Sequence, residues 1–222
     1  MKSAVVLLSG GIDSTVTAYI ARQDIGKRGI LYALSFNYGQ RHDRELAKAA
    51  MTSGVLKVAR HHIVVVYIPA DSPLTGQGDI PDEREKEGEV AVTWVPQRNS
   101  IFLALAFAYA ETVEADFVYA GFNAVDYSGY PDCRPEFVSQ MEKALNLASK
   151  RFVESGRGIG IITPIMKLSK VDIIKKGLEL NVDFRSTWSC YKGEEKPCLV
   201  CPSCRIRNDA FHKLGMEDPL NA

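Results

Sequence analysis

Ala4-Val5-Val6-Leu7-Leu8-Ser9-Gly10-Gly11-Ile12-Asp13-Ser14 is the stretch whose reading decides the fold. Ala4–Leu8 is a short apolar run with two valines, broken by Ser-Gly-Gly, and reads as a buried parallel strand. Ser14 to Ile25 follows as a helix, with Val16, Ala18, Tyr19, Ile20 and Ile25 supplying its apolar faces. Ser9–Ser14 therefore falls in a βα loop at the carboxyl end of a strand, where open α/β sheets bind ligands. Two glycines let the backbone approach an anion with no Cβ in the way. The N–H groups that open the following helix point at that anion, and the helix dipole favours negative charge. Ser9 and Ser14 add hydroxyl donors. The loop lacks the Gly-Lys-Ser/Thr ending of a Walker-type loop and is not the Gly-x-Gly-x-x-Gly dinucleotide fingerprint. Asp13 repels anions, so it reads as a helix cap or as a ligand for a magnesium ion bridging phosphates. A tight βα turn capped by Ser and Asp is the plainer alternative.

Working outward, Gly29–Phe36 reads as a second strand, Arg41–Lys57 as a helix and His61–Ile68 as a third strand. Asn99–Val113 is an alanine-rich apolar helix suited to close packing on a sheet, and Asp116–Gly121 a fourth strand. Pro135–Arg151 is a helix, Gly158–Thr163 a fifth strand, and Ser169–Leu180 a helix that Ser169 can cap. Strand–helix–strand units of about 30 residues indicate right-handed crossovers. The expected fold is α/β, a doubly wound parallel five-stranded sheet over residues 1–185. A metal knuckle and a terminal helix follow over 186–222. Pro69–Thr93 breaks the rhythm with a polar, turn-rich stretch. It is either an exposed loop or a lid over substrate, Asp71–Val92 being the segment in question.

The 222 residues carry 27 Lys+Arg and 27 Asp+Glu, and 46% are apolar. That composition suits a folded domain and argues against a protein held to nucleic acid by a broad basic surface. No apolar run approaches the eighteen residues of a membrane span, and no targeting segment is visible, so a cytoplasmic location is expected.

Five cysteines are present: Cys133 alone, and Cys190, Cys198, Cys201 and Cys204 within fifteen residues. Clustered thiols in a reducing compartment suggest a metal before a disulfide. Four thiolates complete a tetrahedral zinc shell with no open position, so the metal is expected to be structural. An iron–sulfur cluster and a redox dithiol are the rival readings. Arg205, Arg207 and Lys192 lie where they could offset the thiolate charge. Cys133 is expected to be a reduced thiol, with a nucleophilic role as the alternative.

Three further segments would face a pocket at the sheet's carboxyl edge. Phe36-Asn37-Tyr38-Gly39-Gln40 follows the second strand, and its backbone could read a purine edge. In Val95-Pro96-Gln97-Arg98-Asn99-Ser100, Arg98 is a fixed cation for phosphate or carboxylate, and Asn99 caps or binds. The long loop Gly121–Pro135 mixes aspartates, tyrosines, Phe122 and Asn123. That mixture suits a flat heteroaromatic with a guanine-like edge. Lys167 follows Thr163-Pro164-Ile165 and could meet phosphate charge.

Ser-Gly-Gly-Ile-Asp-Ser looks like the PP-loop of the ATP pyrophosphatase superfamily, of adenine nucleotide α-hydrolase-like fold. With Phe36–Gln40, Val95–Asn99, Ser128-Gly129-Tyr130-Pro131-Asp132-Cys133-Arg134-Pro135 and Thr187-Trp188-Ser189-Cys190-Tyr191, the chain resembles the 7-cyano-7-deazaguanine synthase family over nearly its whole length. The resemblance implies a ligase of queuosine-type deazapurine biosynthesis. Its substrates would be ATP with Mg2+, 7-carboxy-7-deazaguanine and ammonia, and a homodimer is implied. It implies ATP binding by Leu8, Ser9, Gly10, Gly11, Ile12, Asp13, Ser14, Thr15, Phe36, Tyr38, Arg98, Asn99 and Lys167. Of these, Ser9, Asp13, Ser14, Arg98 and Lys167 would act in catalysis. It implies a deazapurine site of Asn123, Asp126, Tyr127, Tyr130, Asp132 and Arg134, and zinc on the four clustered cysteines. A tRNA thiolase or lysidine-type ligase is the nearest rival, disfavoured by the neutral charge. A zinc-stabilised nucleotide sensor without catalysis is the rival from another class.

Overall fold

Five short strands pair all-parallel in the order β3-β2-β1-β4-β5: β1 (Ser3–Leu7), β2 (Ile30–Asn37), β3 (Arg60–Val65), β4 (Phe117–Tyr119) and β5 (Gly160–Ile162). This computed structural model describes residues 1–40, 44–70, 72–76, 89–125 and 129–221. The apolar runs are near-continuous because both faces of the sheet are covered. Val5, Leu7, Leu34, Phe36 and Val118 pack on one side with α3 (Arg98–Thr112) and α4 (Pro135–Leu147). Ala4, Val6, Leu31, Ala33 and Tyr119 pack on the other with α1 (Ile12–Ile25) and α2 (Arg44–Val55). The period-two alternation of a strand divides the same run between two cores. Within α3, Leu103, Ala106, Phe107 and Ala110 are buried, and the small alanines let the helix lie close to the sheet.

The chain runs outward from β1 to β2 and β3, then returns to β4 on the other side of β1. The switch point therefore lies between the carboxyl ends of β1 and β4, which is where such sheets bind ligands. The loops that meet there are Ser9–Gly11 and the one opening at Gly121. A Cβ on Gly121 would come within 2.9 Å of the Ser14 nitrogen, so only glycine lets these loops close on each other.

Two expected elements differ in detail. The helix read over 135–151 is broken into α4 and α5 (Lys150–Ser155). Ser149 causes the break: its hydroxyl accepts from Phe152 N at 3.3 Å and donates to Glu111 at 2.9 Å, so it starts a new helix. The terminal helix α7 (Pro202–Lys213) begins inside the cysteine cluster, with Cys201 as its N-cap residue. Ser169 caps α6 (Lys170–Glu179) as expected, accepting from Asp172 N at 3.2 Å.

The tail is anchored by burial. Ala210 and Phe211 of α7 share a core with Ile12 and Val16 of α1 and Ile173 and Ile174 of α6. Arg207 is 2% exposed and forks onto Asp218, with Nε–Oδ2 at 2.6 Å and Nη2–Oδ1 at 2.9 Å. It also donates to Thr187 Oγ1 at 2.7 Å and to the Phe184 carbonyl at 3.0 Å. Its charge is thus matched by Asp218 and does not serve the thiolates. Removing one partner of a buried pair leaves an uncompensated charge. Asp218→Ala is therefore expected to lower unfolding stability by about 3–5 kcal/mol, read by urea denaturation. A loss under about 1 kcal/mol would show that the pair does not hold the tail.

Candidate active site

The Ser9–Ser14 loop is built around one hydroxyl. Ser14 Oγ accepts from Ser9 N at 3.1 Å and Gly10 N at 3.2 Å, and lies 3.0 Å from Ser9 Oγ. Gly10 has φ +91°, and a Cβ there would sit 2.1 Å from the Glu45 carbonyl oxygen. This close approach lets α2 pass directly under the loop. Gly11 is the N-cap of α1 and offers no side chain, so no side chain caps the opening N–H groups of that helix. Gly11, Ile12, Asp13 and Ser14 line a cavity of about 260 Å³, close to the lower end of ordinary small-molecule sites at about 300 Å³.

Asp13 does not stand alone against an anion. Its Oδ1 is 2.5 Å from Lys170 Nζ, and the lysine side chain is only 8% exposed. The pair makes the loop's charge neutral and sets a buried ammonium beside the helix terminus. The expected lysine, Lys167, is exposed and does not line the cavity; Lys170 does. One signal for Lys170 was present in the sequence. Ser169 as N-cap puts the next residue in the first turn of α6, directed back toward the strand ends.

Arg98 opens α3 and lines the cavity. It donates to the Tyr38 hydroxyl at 3.3 Å, and its guanidinium lies 5.6 Å from the centre of that ring. Burial works against its charge, but Tyr38, Tyr130, Cys133 and Asp132 around it outweigh that and hold it firmly protonated. Asn99 lines the cavity, and its Nδ2 reaches Cys133 Sγ at 3.2 Å. The cap of α3 is Asp132, whose Oδ2 accepts from Asn99 N at 3.1 Å. Burial pushes the Cys133 thiol up to about 12, with Asp132 adding to the rise, so at neutral pH it is a thiol and no nucleophile.

Phe36 and Tyr38 line the cavity, and Phe36 stacks on Phe102 with centroids 4.0 Å apart. The backbone of this turn already has partners. The Phe36 carbonyl accepts from Gln40 Nε2 at 2.9 Å, and Tyr38 N donates to Gln40 Oε1 at 2.8 Å. Leu8 and Ile12 line the cavity too, whereas Thr15 is buried beneath it and bonds back to the Gly11 carbonyl at 3.0 Å.

In the long loop after β4, Asn123 and Tyr130 line the cavity. Asn123 Nδ2 clamps the carbonyls of Ile165 at 3.0 Å and Leu168 at 2.6 Å, which ties the loop to the approach of α6. The Tyr130 hydroxyl is 2.6 Å from Thr93 Oγ1. Asp132 is buried beside the cavity, and among the described residues its Oδ1 has no hydrogen-bond partner. Arg134 is exposed and outside the lining. Asp126 and Tyr127 lie outside the described residues, as does most of the stretch read as a lid. Leu74, at one described end of that stretch, lines the cavity. Ala91, at the other, bonds to the Gly129 carbonyl at 3.1 Å.

The sulfurs of Cys190, Cys198, Cys201 and Cys204 all lie within 4.8 Å of one another. A zinc ion with Zn–S of about 2.3 Å holds its sulfurs about 3.8 Å apart, so these residues fit a tetrahedral metal. Backbone amides point at these sulfurs: Lys192 N and Cys198 N each reach Cys190 Sγ at 3.4 Å, and Cys201 N reaches Cys198 Sγ at 3.4 Å. The cluster also touches the active loop. Trp188 N donates to the Gly10 carbonyl at 2.9 Å, and the Trp188 indole N–H donates to the Cys190 carbonyl at 3.0 Å. Sequence reading did not single out Glu45 or Trp188's link to Gly10, since both depend on distant segments meeting.

A parallel 3-2-1-4-5 sheet with a glycine-turned loop at its switch point is an architecture that PP-loop ATP-using enzymes share with other nucleotide-binding α/β folds. An NMN synthetase from Francisella tularensis shares the fold, with a TM-score of 0.52 and 17% identity over 98% of this chain and 79% of that one. The model of the family described as queuosine biosynthesis protein QueC matches residues 3–215. A 7-cyano-7-deazaguanine synthase of Trichodesmium erythraeum is 45% identical over 98% of this chain and 99% of its own. One from Thermoplasma volcanium is 46% identical over 99% of this chain and 90% of its own. The chain belongs to the QueC family. Among the described residues no helix is long and apolar enough to cross a membrane.

Proposed function

We propose that this chain is an ATP-dependent carbon–nitrogen ligase that converts 7-carboxy-7-deazaguanine and ammonia to 7-cyano-7-deazaguanine, and that it acts as a homodimer in the cytoplasm. One observation carries the reading. In a chain of this family, the α1 N-terminus, Lys170 and Arg98 converge on a single cavity beside the Ser9–Ser14 loop. Substrate carboxylate attacks the α-phosphate of ATP, pyrophosphate leaves, and ammonia displaces AMP to give the amide. The amide oxygen is then adenylated in turn, and loss of AMP leaves the nitrile. Each activation gathers charge on a departing pyrophosphate. The loop amides and Lys170 hold that charge, and Arg98 meets the other end of the phosphate chain. Asp13, paired with Lys170, would be the loop carboxylate to hold a magnesium ion, which would supply counter-charge to the triphosphate. Phe36 and Tyr38 flank the adenine. Tyr130, Asp132 Oδ1 and the Asp126–Tyr127 stretch hold the deazapurine, and the loop that Asn123 clamps presents them. Cys190, Cys198, Cys201 and Cys204 would hold a structural zinc ion as thiolates.

Mass spectrometry of the product from 7-carboxy-7-deazaguanine, ATP, Mg2+ and ammonium tests the reading. A nitrile is expected, and its absence with metal-replete protein would refute it. Lys170→Ala is expected to cut kcat by about 10²–10³, the cost of one preorganised charge on a growing anion. Lys167→Ala, at an exposed site, is expected to stay within about 3-fold of the parent protein, since each tenfold needs about 1.4 kcal/mol. The reverse order in steady-state kinetics would return the role to Lys167.

A further inference from the structure

We infer that the cysteine-bearing tail supplies part of the anion site: the hydroxyls of Ser189 and Ser203 donate to the oxygens of the pyrophosphate that ATP releases. The inference rests on the ligase reading above and deepens it. The hydroxyls of the Ser9–Ser14 loop are spent on the loop itself. Ser14 Oγ donates to the Gly11 carbonyl at 3.2 Å and accepts from Ser9 N and Gly10 N. Ser9 Oγ accepts from Gly11 N at 3.3 Å and meets Ser14 Oγ at 3.0 Å. These bonds brace the cradle, and a polyanion held there draws its hydroxyl donors from the neighbouring walls.

One wall is the tail. Trp188, Ser189, Ser203 and Arg207 line the same cavity as Gly11 and Ile12. The Gly10 carbonyl accepts from Trp188 N at 2.9 Å, and the Trp188 carbonyl oxygen lies 3.5 Å from where a Cβ on Gly11 would stand. Ser189 is the next residue, so it stands beside the N-terminus of α1. Its Oγ is 3.4 Å from Arg207 Nη1. A guanidinium has donors only, so Ser189 accepts there and its own O–H is left to donate. Ser203 lies in the first turn of α7, one turn before Arg207 and on the same face. It is 7% exposed, and among the described residues its hydroxyl has no hydrogen-bond partner. A buried hydroxyl without a partner is rare, and one in a cavity wall at the positive end of a helix is placed for an anion. The tail thus brings a second helix N-terminus to the cavity that α1 opens. Pyrophosphate is the ligand of this chemistry that gathers most charge, and it is the one read onto α1 and Lys170 above.

Calorimetric titration of full-length, metal-replete protein with pyrophosphate in the presence of Mg2+ tests the site. Ser189→Ala and Ser203→Ala are each expected to raise Kd about 10-fold, the worth of one hydrogen bond to a charged group. Ser189→Thr and Ser203→Thr keep the hydroxyl and are expected to stay within about 3-fold of the parent protein. The KM for labelled pyrophosphate in its exchange into ATP, driven by the substrate acid alone, should rise in step with Kd. Parent-like Kd in both alanine variants overturns the inference. Equal weakening in the alanine and threonine variants makes the wall a structural support and overturns it too. If the parent protein makes nitrile while Kd is unmoved in the variants, the ligase reading stands without the tail's part. If the parent protein makes no nitrile but its Kd depends on both serines, the anion site stands and the ligase reading alone falls.

Discussion

Gly10→Ala is expected to lower unfolding stability by about 3 kcal/mol and nitrile formation by about 100-fold. Two costs add. At φ +91° an L side chain is strained, which costs about 1–2 kcal/mol. The new methyl would also meet backbone on two sides, the Glu45 oxygen at 2.1 Å and the Ala49 nitrogen at 2.9 Å. Backbone cannot turn aside as a side chain can, so the loop and α2 must move apart. Overpacking of this kind costs about 1–3 kcal/mol. The loop amides then shift relative to Lys170, and a displacement of about 1 Å in a reacting site removes about two decades of rate. Gly26→Ala is the control. It has φ +72° but nothing within 4 Å of its Cβ, so it carries strain without collision. Urea denaturation and steady-state kinetics of the two variants separate the contributions. Equal losses at both positions would mean that the contact with α2 does not matter.

Cys201→Ser is expected to release the metal and to disturb the active loop from a distance. Thiolate sites of this kind supply roughly 10–16 kcal/mol of apparent binding in small zinc peptides. Even several kcal/mol lost from a chain of this size lowers Tm by about 10 °C. The further effect runs through Trp188, which bonds to Cys190 on one side and to Gly10 on the other. Without the metal, the segment from Thr187 to Cys190 loses its fixed end, and the Gly10 carbonyl loses its tether. Metal analysis should find the variant depleted, and acid-driven pyrophosphate exchange should fall with it. Cys133→Ser should keep its metal, because that thiol stands apart from the cluster. Full metal in Cys201→Ser would refute the four-thiolate site. Depleted metal with intact exchange would refute the coupling through Trp188.

The parts of this molecule legible in the sequence were those set by local patterns. Short apolar runs marked the strands, and the Ser9–Ser14 loop lay at the carboxyl edge of the sheet. Cysteine spacing alone brought four residues to one point, since turns within 190–204 leave the thiols little choice. What depended on distant pairing was harder to read. Lys167 and Lys170 are both lysines near the start of α6. Only the buried contact with Asp13, across 157 residues of chain, shows which one enters the site. Asp132 read as a substrate ligand because aspartates in loops often are; that its Oδ2 also caps α3 depends on a contact with a segment 33 residues away. Arg207 read as a counter-charge to the thiolates, but Asp218, eleven residues on, reaches it first. Ser149 carried its capping signal openly, but the apolar pattern ran on through it and masked the break.

In the proposed reaction one cavity drives two adenylations of one substrate. It is tested most directly by counting AMP against nitrile, by chromatography and mass spectrometry of the same reaction. Two AMP per 7-cyano-7-deazaguanine, with the amide as a transient, is the result expected. Nitrile formed with a single AMP, or with ADP and phosphate in its place, would contradict it.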